Sequence, residues 1–276
     1  MNKKLSLIVA LLLTFFLAAC SSKEGATSTT STVNSKDTKE KVQKIIVGTG
    51  TQFPNICFID ENGKLTGYDV ELVREIDKKL PEYEFEFKTM EFSNLLLSLE
   101  TKKIDFIAHQ MEVNEERKAK FLFNKEPYNI FPLKVVVRKD NNDIKSIKDL
   151  KGKKVIVTAT SNAAVFLEKY NKEHNAGIHI VYAGQGADDV TNQIRTGRAD
   201  ATISTPFAVD FLNKAADAQQ KVVGETLLDS KVYFLFRKDE TKLQKRIDEA
   251  LVELKKEGVV RELSKKWLGA DYTVEF

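Results

Sequence analysis

The feature that most limits the possible folds is an alternation of strand-like and helix-like segments. The first series comprises KIIVG at 44–48, a helix with one apolar face over Tyr68 to Leu80, the alternating run EYEFEFK at 82–88, a helix around Ser93 to Lys102, and IDFIAH at 104–109. Period-two runs are typical of strands, and apolar residues spaced three and four apart are typical of helices. The strand–helix–strand order predicts a parallel sheet with right-handed crossovers.

The same order starts again after Pro132. The second series comprises LKVVVRK at 133–139, a helical turn at 146–150, KVIVTA at 154–159, a helix from Asn162, IHIVY at 178–182, a helix from Asp188 and ATIS at 201–204. A strand at 232–238, a helix that Gly258 ends and a short helix within 258–269 complete the chain. Two α/β units of about 100 residues each predict a protein of two lobes.

The composition is that of a globular protein with a balanced surface. Hydrophobic residues make up 42% of the 276 residues, charged residues make up 30%, and the formal net charge is +3. This content of apolar residues is sufficient for a buried core. A net charge so close to zero gives no general attraction to nucleic acid, so we expect no nucleic-acid partner.

The N-terminus has the features of an export signal. Basic residues at Lys3 and Lys4 precede an apolar run from Leu5 to Phe16, which is shorter than the ~20 residues that a membrane span needs. The sequence Leu17-Ala18-Ala19-Cys20 then resembles the lipobox of bacterial lipoproteins, which implies cleavage before Cys20 and a lipid on its sulfur. We therefore predict a signal peptide over 1–19; the alternative is an uncleaved anchor helix.

The segment after Cys20 has almost nothing to bury. Ser21 to Glu40 is rich in Ser, Thr, Lys, Asp and Glu, which predicts a disordered tether over 20–41 with a reach of roughly 25 Å. Cys57 is the other of the chain's two cysteines. With Cys20 lipidated, no intramolecular disulfide can form, and Cys57 is predicted to be a small buried hydrophobe.

Signatures of several enzyme and cofactor classes are absent from the sequence. There is no Cys-x-x-Cys, His-Glu-x-x-His, Gly-x-Ser-x-Gly or P-loop pattern, and the three histidines show no ligand spacing. Gly48-Thr49-Gly50 follows a strand as a dinucleotide loop does, but Phe53 stands where that motif needs a third glycine. We predict no metal, no cofactor and no catalytic residue.

Several longer stretches resemble one family. They are GKLTGYDVELVREI at 63–76, KKIDFIAHQMEVNEERKAKFLF at 102–123, IKDLKGKKVIV at 147–157, TGRADATIS at 196–204 and KKEGVVRELSKKWLG at 255–269. Together they look like the polar amino acid family of extracellular solute-binding proteins, family 3, which supply ABC importers. Within it, GTGTQFPN at 48–55, FKTMEF at 87–92 and DATISTPFAVDF at 200–211 look most like cystine-binding lipoproteins of Gram-positive bacteria.

The resemblance implies a fold, an architecture and partners. The fold is the α/β, two-lobe periplasmic-binding-protein-like (type II) fold, with a ligand cleft between lobes joined by two crossing segments. Lobe 1 would comprise 42–130 plus 236–276, and lobe 2 would comprise 131–235. The implied protein is a monomeric receptor, lipid-anchored on the extracellular face of the cell membrane, that delivers an amino acid to an ABC permease.

The resemblance also assigns candidate residues to the ligand in lobe 1. Arg117 falls where the family binds the ligand carboxylate, and its planar guanidinium matches a carboxylate in two-point contact. Taken alone, the charged run favours a solvated base at Arg117, and the family resemblance reverses that preference. Gln110 and Glu112 belong to the segment 109–112, which the family places at the ligand.

Other candidates lie in the second unit and on the cleft walls. Amide groups at Thr160, Ser161 and Asn162 begin a helix and can bind an anion, although Ser161 or Asn162 could also be an ordinary helix cap. Phe53 falls where the family stacks an aromatic ring on the ligand, and Phe92 is a candidate second wall. Core packing is the alternative for both rings.

One position departs from the family pattern. Many members carry an aspartate for the ligand ammonium where this chain has Thr205. A hydroxyl is a weaker partner for an ammonium than a carboxylate, so Glu91 or Glu112 would have to compensate. The departure leaves the ligand open between L-cystine, a related sulfur amino acid and another polar amino acid such as glutamine.

Two other classes of function remain as alternatives. An enzyme on the same scaffold, similar to the cyclohexadienyl dehydratases, would need an acid or base such as Glu91, Glu112 or His109. A sensor module would need membrane-spanning and output segments that the sequence lacks. The predicted lipid anchor favours the receptor.

Overall fold

The computed structural model describes residues 42–184 and 189–273. The predicted signal peptide, Cys20 and the tether lie outside the described residues, as does the predicted helix start at Asp188. The strands are β1 (Gln43–Thr49), β2 (Gln52–Phe53), β3 (Cys57–Ile59), β4 (Leu65–Thr66), β5 (Tyr83–Thr89), β6 (Phe106–Glu112), β7 (Phe121–Phe123), β8 (Asn129–Arg138), β9 (Lys154–Val157), β10 (His179–Tyr182), β11 (Ala201–Ser204) and β12 (Gln220–Arg237).

The helices alternate with these strands along most of the chain. They are α1 (Tyr68–Lys79), α2 (Phe92–Glu100), α3 (Glu115–Lys120), α4 (Asn162–His174), α5 (Asp189–Arg195), α6 (Pro206–Ala216), α7 (Thr241–Lys256) and α8 (Val259–Leu268), with a 3-10 turn at Ile147–Leu150. The predicted elements therefore match in type. Local sequence patterns did not predict α3, α6, β7 or the small antiparallel sheet β2–β3–β4.

Within the described residues, one nine-stranded sheet runs through the body, in the order β10-β9-β11-β8-β12-β6-β1-β5 with β7 beside β12. In one half, β1 pairs in parallel with β5 and β6. In the other half, β9 pairs in parallel with β10 and β11. This is the two-lobe α/β class that the sequence indicates.

The halves are joined by two long strands, and these correct the prediction of a wholly parallel sheet. β8 and β12 pair antiparallel from Asn129↔Val232 to Arg138↔Gln220, with a register shift between Val223 and Leu228. β12 also pairs antiparallel with β6, and β8 pairs antiparallel with β11. Their pairing partners are far apart in sequence, so local periodicity carried no signal for their direction.

The core follows the apolar faces that define the elements. On α1, Val70, Val73 and Ile76 are completely buried, and they belong to the same cluster as Val47 of β1. Burying each such side chain contributes roughly 1.5–3 kcal/mol relative to exposure. Cys57 is also fully buried and free, as predicted, and burial raises the pKa of its thiol to about 12.

Candidate functional site

A cavity of about 470 Å³ lies where the two halves of the sheet face each other. Its lining includes the ends of parallel strands, such as Val157 of β9 and Ser204 of β11, together with residues after β1. This is the position at which open α/β sheets bind small molecules. Of the nine predicted ligand residues, seven line the cavity: Phe53, Phe92, Gln110, Glu112, Arg117, Ser161 and Asn162.

Arg117 is buried at the centre of this site, with 3% of its surface exposed. It lies on α3, whose N-terminus is capped by Asn114: the Asn114 side-chain oxygen accepts from the Arg117 amide at 2.8 Å. Arg117 Nη1 donates to the Glu112 carbonyl oxygen at 3.0 Å, and Nη2 donates to the Thr160 carbonyl oxygen at 2.9 Å. Its Nε–H is buried without a partner, so this donor remains available to a ligand.

Glu112 supplies an acceptor in the same cavity. Its side chain is 5% exposed, and Oε1 is buried without a hydrogen-bond partner. Burial raises the pKa of Glu112 to about 7, against the opposing effects of the Arg117 charge and of hydrogen bonds from Ser230 and Asn162. The site thus contains a cation with a free donor and a carboxyl group with a free acceptor.

Two hydrogen bonds cross the cavity near Arg117. One is the bond from Arg117 to Thr160, and the other runs from Asn114 Nδ2 to Asn162 Oδ1 at 2.8 Å. Thr160 has a φ of 63°, in the left-handed region that non-glycine residues rarely adopt. Thr160 itself does not line the cavity; it contributes its carbonyl oxygen to Arg117.

Ser161, immediately before α4, has two roles. Ser161 is the N-cap, and its hydroxyl accepts from the Ala164 amide at 3.2 Å, as the capping alternative predicted. The Ser161 amide donates to the Thr158 carbonyl oxygen at 3.3 Å. Ser161 also lines the cavity, so helix capping and proximity to a ligand occur together.

Thr205 lies behind the cavity wall. It is completely buried and caps α6, with its hydroxyl accepting from the Ala208 amide at 3.3 Å. Its neighbour Ser204 lines the cavity, whereas Thr205 does not. Pro206 follows at the first helical position, which is a typical helix start.

Aromatic rings form one wall. Phe53 packs on His109 at 5.3 Å between ring centroids and on Phe131 at 5.9 Å. Phe92 packs on His109 at 4.9 Å, and the Arg117 guanidinium lies 5.9 Å from the centre of the Phe92 ring. Burial lowers the pKa of His109 to about 4, so His109 is neutral near pH 7.

Several lining residues had no signal in the sequence analysis. Phe58 of β3 and Phe211 of α6 both line the cavity and lie 5.4 Å apart, ring centre to ring centre. They come from opposite halves and are 153 positions apart in the chain, so only the tertiary fold brings them together. Glu91, an alternative ammonium acceptor, also lines the cavity.

Two negative findings apply to residues 42–184 and 189–273. No group of three or more His, Cys, Asp or Glu side chains there is arranged to hold a metal ion. No helix in the same ranges has the length and apolar character needed to span a lipid bilayer.

The fold and the cleft define a two-lobe solute-binding protein. The model of the bacterial extracellular solute-binding proteins, family 3, matches residues 45–270, and the chain belongs to that family. Its members are extracellular binding proteins by that description.

Individual relatives are also similar over most of their length. The L-cystine-binding protein TcyK of Bacillus subtilis is 57% identical over 259 residues, 94% of this chain and 93% of the relative. The L-cystine-binding protein TcyJ of the same organism is 58% identical over 236 residues, 86% and 88% of the two chains. A solved structure, described as a putative L-cystine ABC transporter from Listeria monocytogenes, is 62% identical with a TM-score of 0.80, covering 84% of this chain and 98% of that one. These three are named for binding or transport, which gives no support to the enzyme alternative.

Proposed function

We propose that this protein is the L-cystine receptor of an ABC importer and delivers its ligand to a membrane permease. The two relatives at 57% and 58% identity are both named as L-cystine-binding proteins, which supports the choice of ligand. The aromatic wall formed by Phe53 and Phe92 is consistent with a disulfide side chain, because sulfur is polarizable and packs well on aromatic edges.

The observation that carries the proposal is that Arg117 has a buried donor without a partner and Glu112 has a buried acceptor without a partner, in the same cavity. The unpartnered Nε–H of Arg117 suits a ligand carboxylate, and the unpartnered Oε1 of Glu112 suits a ligand ammonium. An amino acid brings both groups, and it would satisfy two buried atoms that otherwise lack hydrogen bonds. We assign the ammonium to Glu112 because Thr205 is occupied as a helix cap.

The remaining candidates have supporting roles in this proposal. Gln110, Ser161 and Asn162 would give polar contacts from the two sides of the cleft. Thr160 would orient Arg117 through its carbonyl oxygen. A ligand that contacts both halves stabilises the closed state over the open one, so binding would close the cleft.

The proposal extends to the architecture and location of the chain. We propose lobe 1 as 42–130 plus 236–276 and lobe 2 as 131–235, with β8 and β12 as the crossing segments. We further propose cleavage after residue 19, lipidation of Cys20 and a tether over 20–41. The receptor would then be a monomer held on the extracellular face of the membrane near its permease.

A thermal-shift panel tests the ligand assignment. The purified protein is heated with L-cystine, L-cysteine, S-methylcysteine, glutamine, histidine or arginine. A ligand that binds only the folded state at about 100 times its dissociation constant adds about 2.7 kcal/mol of stability, which is a readily measured shift. We expect the largest shift with L-cystine; a larger shift with glutamine or arginine, or none with any ligand, contradicts the proposal.

A further inference from the structure

A buried carboxylate lies behind the cleft and does not line it. Asp69, in the first turn of α1, is completely buried. Its hydrogen-bond donors are the Gln110 amide at 2.7 Å, Gln110 Nε2 at 2.6 Å and the Tyr128 hydroxyl at 2.9 Å. No cation is among these donors in the described part of the chain. A carboxylate without an opposite charge is costly to bury, and the three hydrogen bonds offset part of that cost. A buried carboxylate at this position therefore requires a structural explanation.

The explanation lies in an irregularity of β6. Register partners Met111↔Tyr233 and Ile107↔Leu235 leave three residues of β6, at 108–110, opposite the single residue Phe234 of β12. The backbone of Phe234 instead bonds to Asn124, whose side-chain oxygen accepts from the Phe234 amide at 2.7 Å. On the β12 side, the ladder therefore offers a single residue to the three residues of this β6 bulge.

Gln110 is the residue of the bulge with a strained backbone conformation. Its φ of 48° is in the left-handed region, which costs a non-glycine residue of the order of 1–3 kcal/mol. Asp69 accepts hydrogen bonds from both the backbone amide and the side-chain Nε2 of Gln110. One carboxylate therefore fixes the backbone and the side-chain rotamer of Gln110 together. His109 and Gln110 of the bulge line the cavity, and Asp69 is not among its lining residues.

The same carboxylate reaches the start of the first crossing strand. Tyr128 immediately precedes β8 and donates its hydroxyl to Asp69. Asn129, the first residue of β8, donates Nδ2 to Gln110 Oε1 at 3.0 Å. Tyr68, beside Asp69 on α1, donates its hydroxyl to the Tyr128 carbonyl oxygen at 2.7 Å. The bulge in the cleft and the beginning of the connection between the halves thus share one buried network.

We propose that Asp69 is a positioning residue for ligand binding: it holds the cleft-lining bulge of β6 in its left-handed conformation and ties that bulge to the start of β8. The proposal rests on the cleft being the amino acid site. Burial raises the pKa of Asp69 to about 6, opposed by its hydrogen bonds from Gln110 and Tyr128, so the carboxylate form depends on those donors.

Asp69→Asn tests this assignment with little change in shape. An amide at this position turns one acceptor into a donor, which would face the donor Gln110 Nε2. We expect L-cystine binding at least about tenfold weaker by calorimetry, and exchange of the Gln110 amide proton at least about tenfold faster in the ligand-free protein. Unchanged affinity together with unchanged exchange overturns the proposal.

A matched control separates positioning from general stability. Asp248 is also a buried carboxylate that accepts two backbone amides, from Lys125 and Glu126, at 2.8 and 3.1 Å, and it does not line the cavity. Asp248→Asn should lower the melting temperature while changing L-cystine affinity less than about twofold. Equal losses of affinity in Asp69→Asn and Asp248→Asn overturn a specific role for Asp69.

A double variant tests the pairing itself. Gln110→Glu alone places two carboxylates together and should weaken binding, whereas Asp69→Asn with Gln110→Glu restores a donor facing an acceptor. We expect the double variant to bind L-cystine more tightly than either single variant, as coupled residues do in a double-mutant cycle. Additive losses overturn the pairing.

Exchange of the Gln110 amide in ligand-free protein tests the role of Asp69 independently of the identity of the ligand. If the parent does not bind L-cystine, the proposed ligand is wrong, and the Gln110 amide exchange in ligand-free protein still decides the role of Asp69. If Asp69→Asn does not fold, Tyr128→Phe removes one donor to the same carboxylate and keeps the ring. Faster exchange at Gln110, by roughly threefold, supports the network, and unchanged exchange contradicts it.

Discussion

Arg117 donates through Nη2 to the carbonyl oxygen of Thr160, a residue between β9 and α4 in the other half of the protein, at 2.9 Å. The same guanidinium is fixed from its own half by the Glu112 carbonyl oxygen. A group held from both sides responds to any change in the separation of the halves. Arg117 is thus positioned to link ligand contact to closure.

Asn114 should contribute to L-cystine binding by holding Arg117 in place. It caps α3 beneath Arg117 and also bonds to Asn162 across the cavity. Loss of an N-cap costs about 1 kcal/mol, and the cross-cavity bond adds to it, so Asn114→Ala should weaken L-cystine binding by roughly tenfold in calorimetry. Ser146→Ala, which removes a hydroxyl that donates to Asp149 away from the cavity, should leave the affinity unchanged. Equal affinities in the parent and Asn114→Ala contradict this role.

Binding should also depend on pH through Glu112. Its pKa is about 7, so the neutral acid is the main form at about pH 6, and an ammonium ligand favours the ionised form. The dissociation constant should therefore fall several-fold between about pH 6 and about pH 7.5. Over that range His109 stays neutral, since burial lowers its pKa to about 4, and Arg117 stays charged.

Glu112→Gln supplies the comparison for the pH dependence. The amide keeps the shape of the side chain and cannot ionise, so the dissociation constant of the variant should fall by at most about twofold over the same range, through ionisation of Asp69, whose pKa is about 6. Calorimetric titrations of both proteins at each pH provide the measurement. An identical slope in Glu112→Gln assigns the pH dependence to another group.

Trp267, the chain's single tryptophan, should report on the cleft. Its ring lies 5.9 Å from Phe58, which in turn lies 5.4 Å from Phe211 in the other half. Saturating L-cystine should change the Trp267 emission, and Phe58→Leu should reduce that change in a fluorescence titration. Phe166→Leu, on α4 and outside the cavity lining, is the control. Binding in calorimetry with no change in parent emission contradicts the prediction.

Cys20 should determine location without affecting the ligand site. Cys20→Ala is expected to release or misprocess the protein in cell fractionation, while the purified body binds L-cystine with unchanged affinity. Cys57→Ala should leave the membrane fraction intact, since Cys57 is buried in the folded body. Retention of Cys20→Ala in the membrane fraction argues for an uncleaved anchor helix.

The parts of the fold that the sequence predicts are those with a local period. The face of α1 formed by Val70, Val73 and Ile76 is readable from spacing alone, and all three residues are buried. The antiparallel pairing of β8 with β12 has no such signal, because it depends on contacts between residues about 100 positions apart. Strand direction between distant segments is set by the whole topology.

The residues of the site likewise differ in whether the local sequence predicts their position. Arg117 lies in a charged run that predicts solvent exposure, and the family resemblance rather than the spacing indicated a ligand role. The 3% exposure of Arg117 comes from packing between the two halves. Thr205 carried a readable local signal, a hydroxyl before proline at a helix start, which explains its use as a cap. The contact between Phe58 and Phe211 could be found only in three dimensions.

The decisive test of L-cystine binding at Arg117 is a calorimetric titration of ligand-free protein with L-cystine, repeated on Arg117→Ala. We expect saturable binding of one ligand per chain to the parent, and a loss of at least about tenfold in affinity for the variant, because charge-assisted hydrogen bonds of about 1.5–3 kcal/mol each are removed. Arg246→Ala, which breaks a partly exposed ion pair with Glu82, should bind as the parent does. Equal affinity in Arg117→Ala, or no binding of L-cystine by the parent, would contradict L-cystine binding at Arg117.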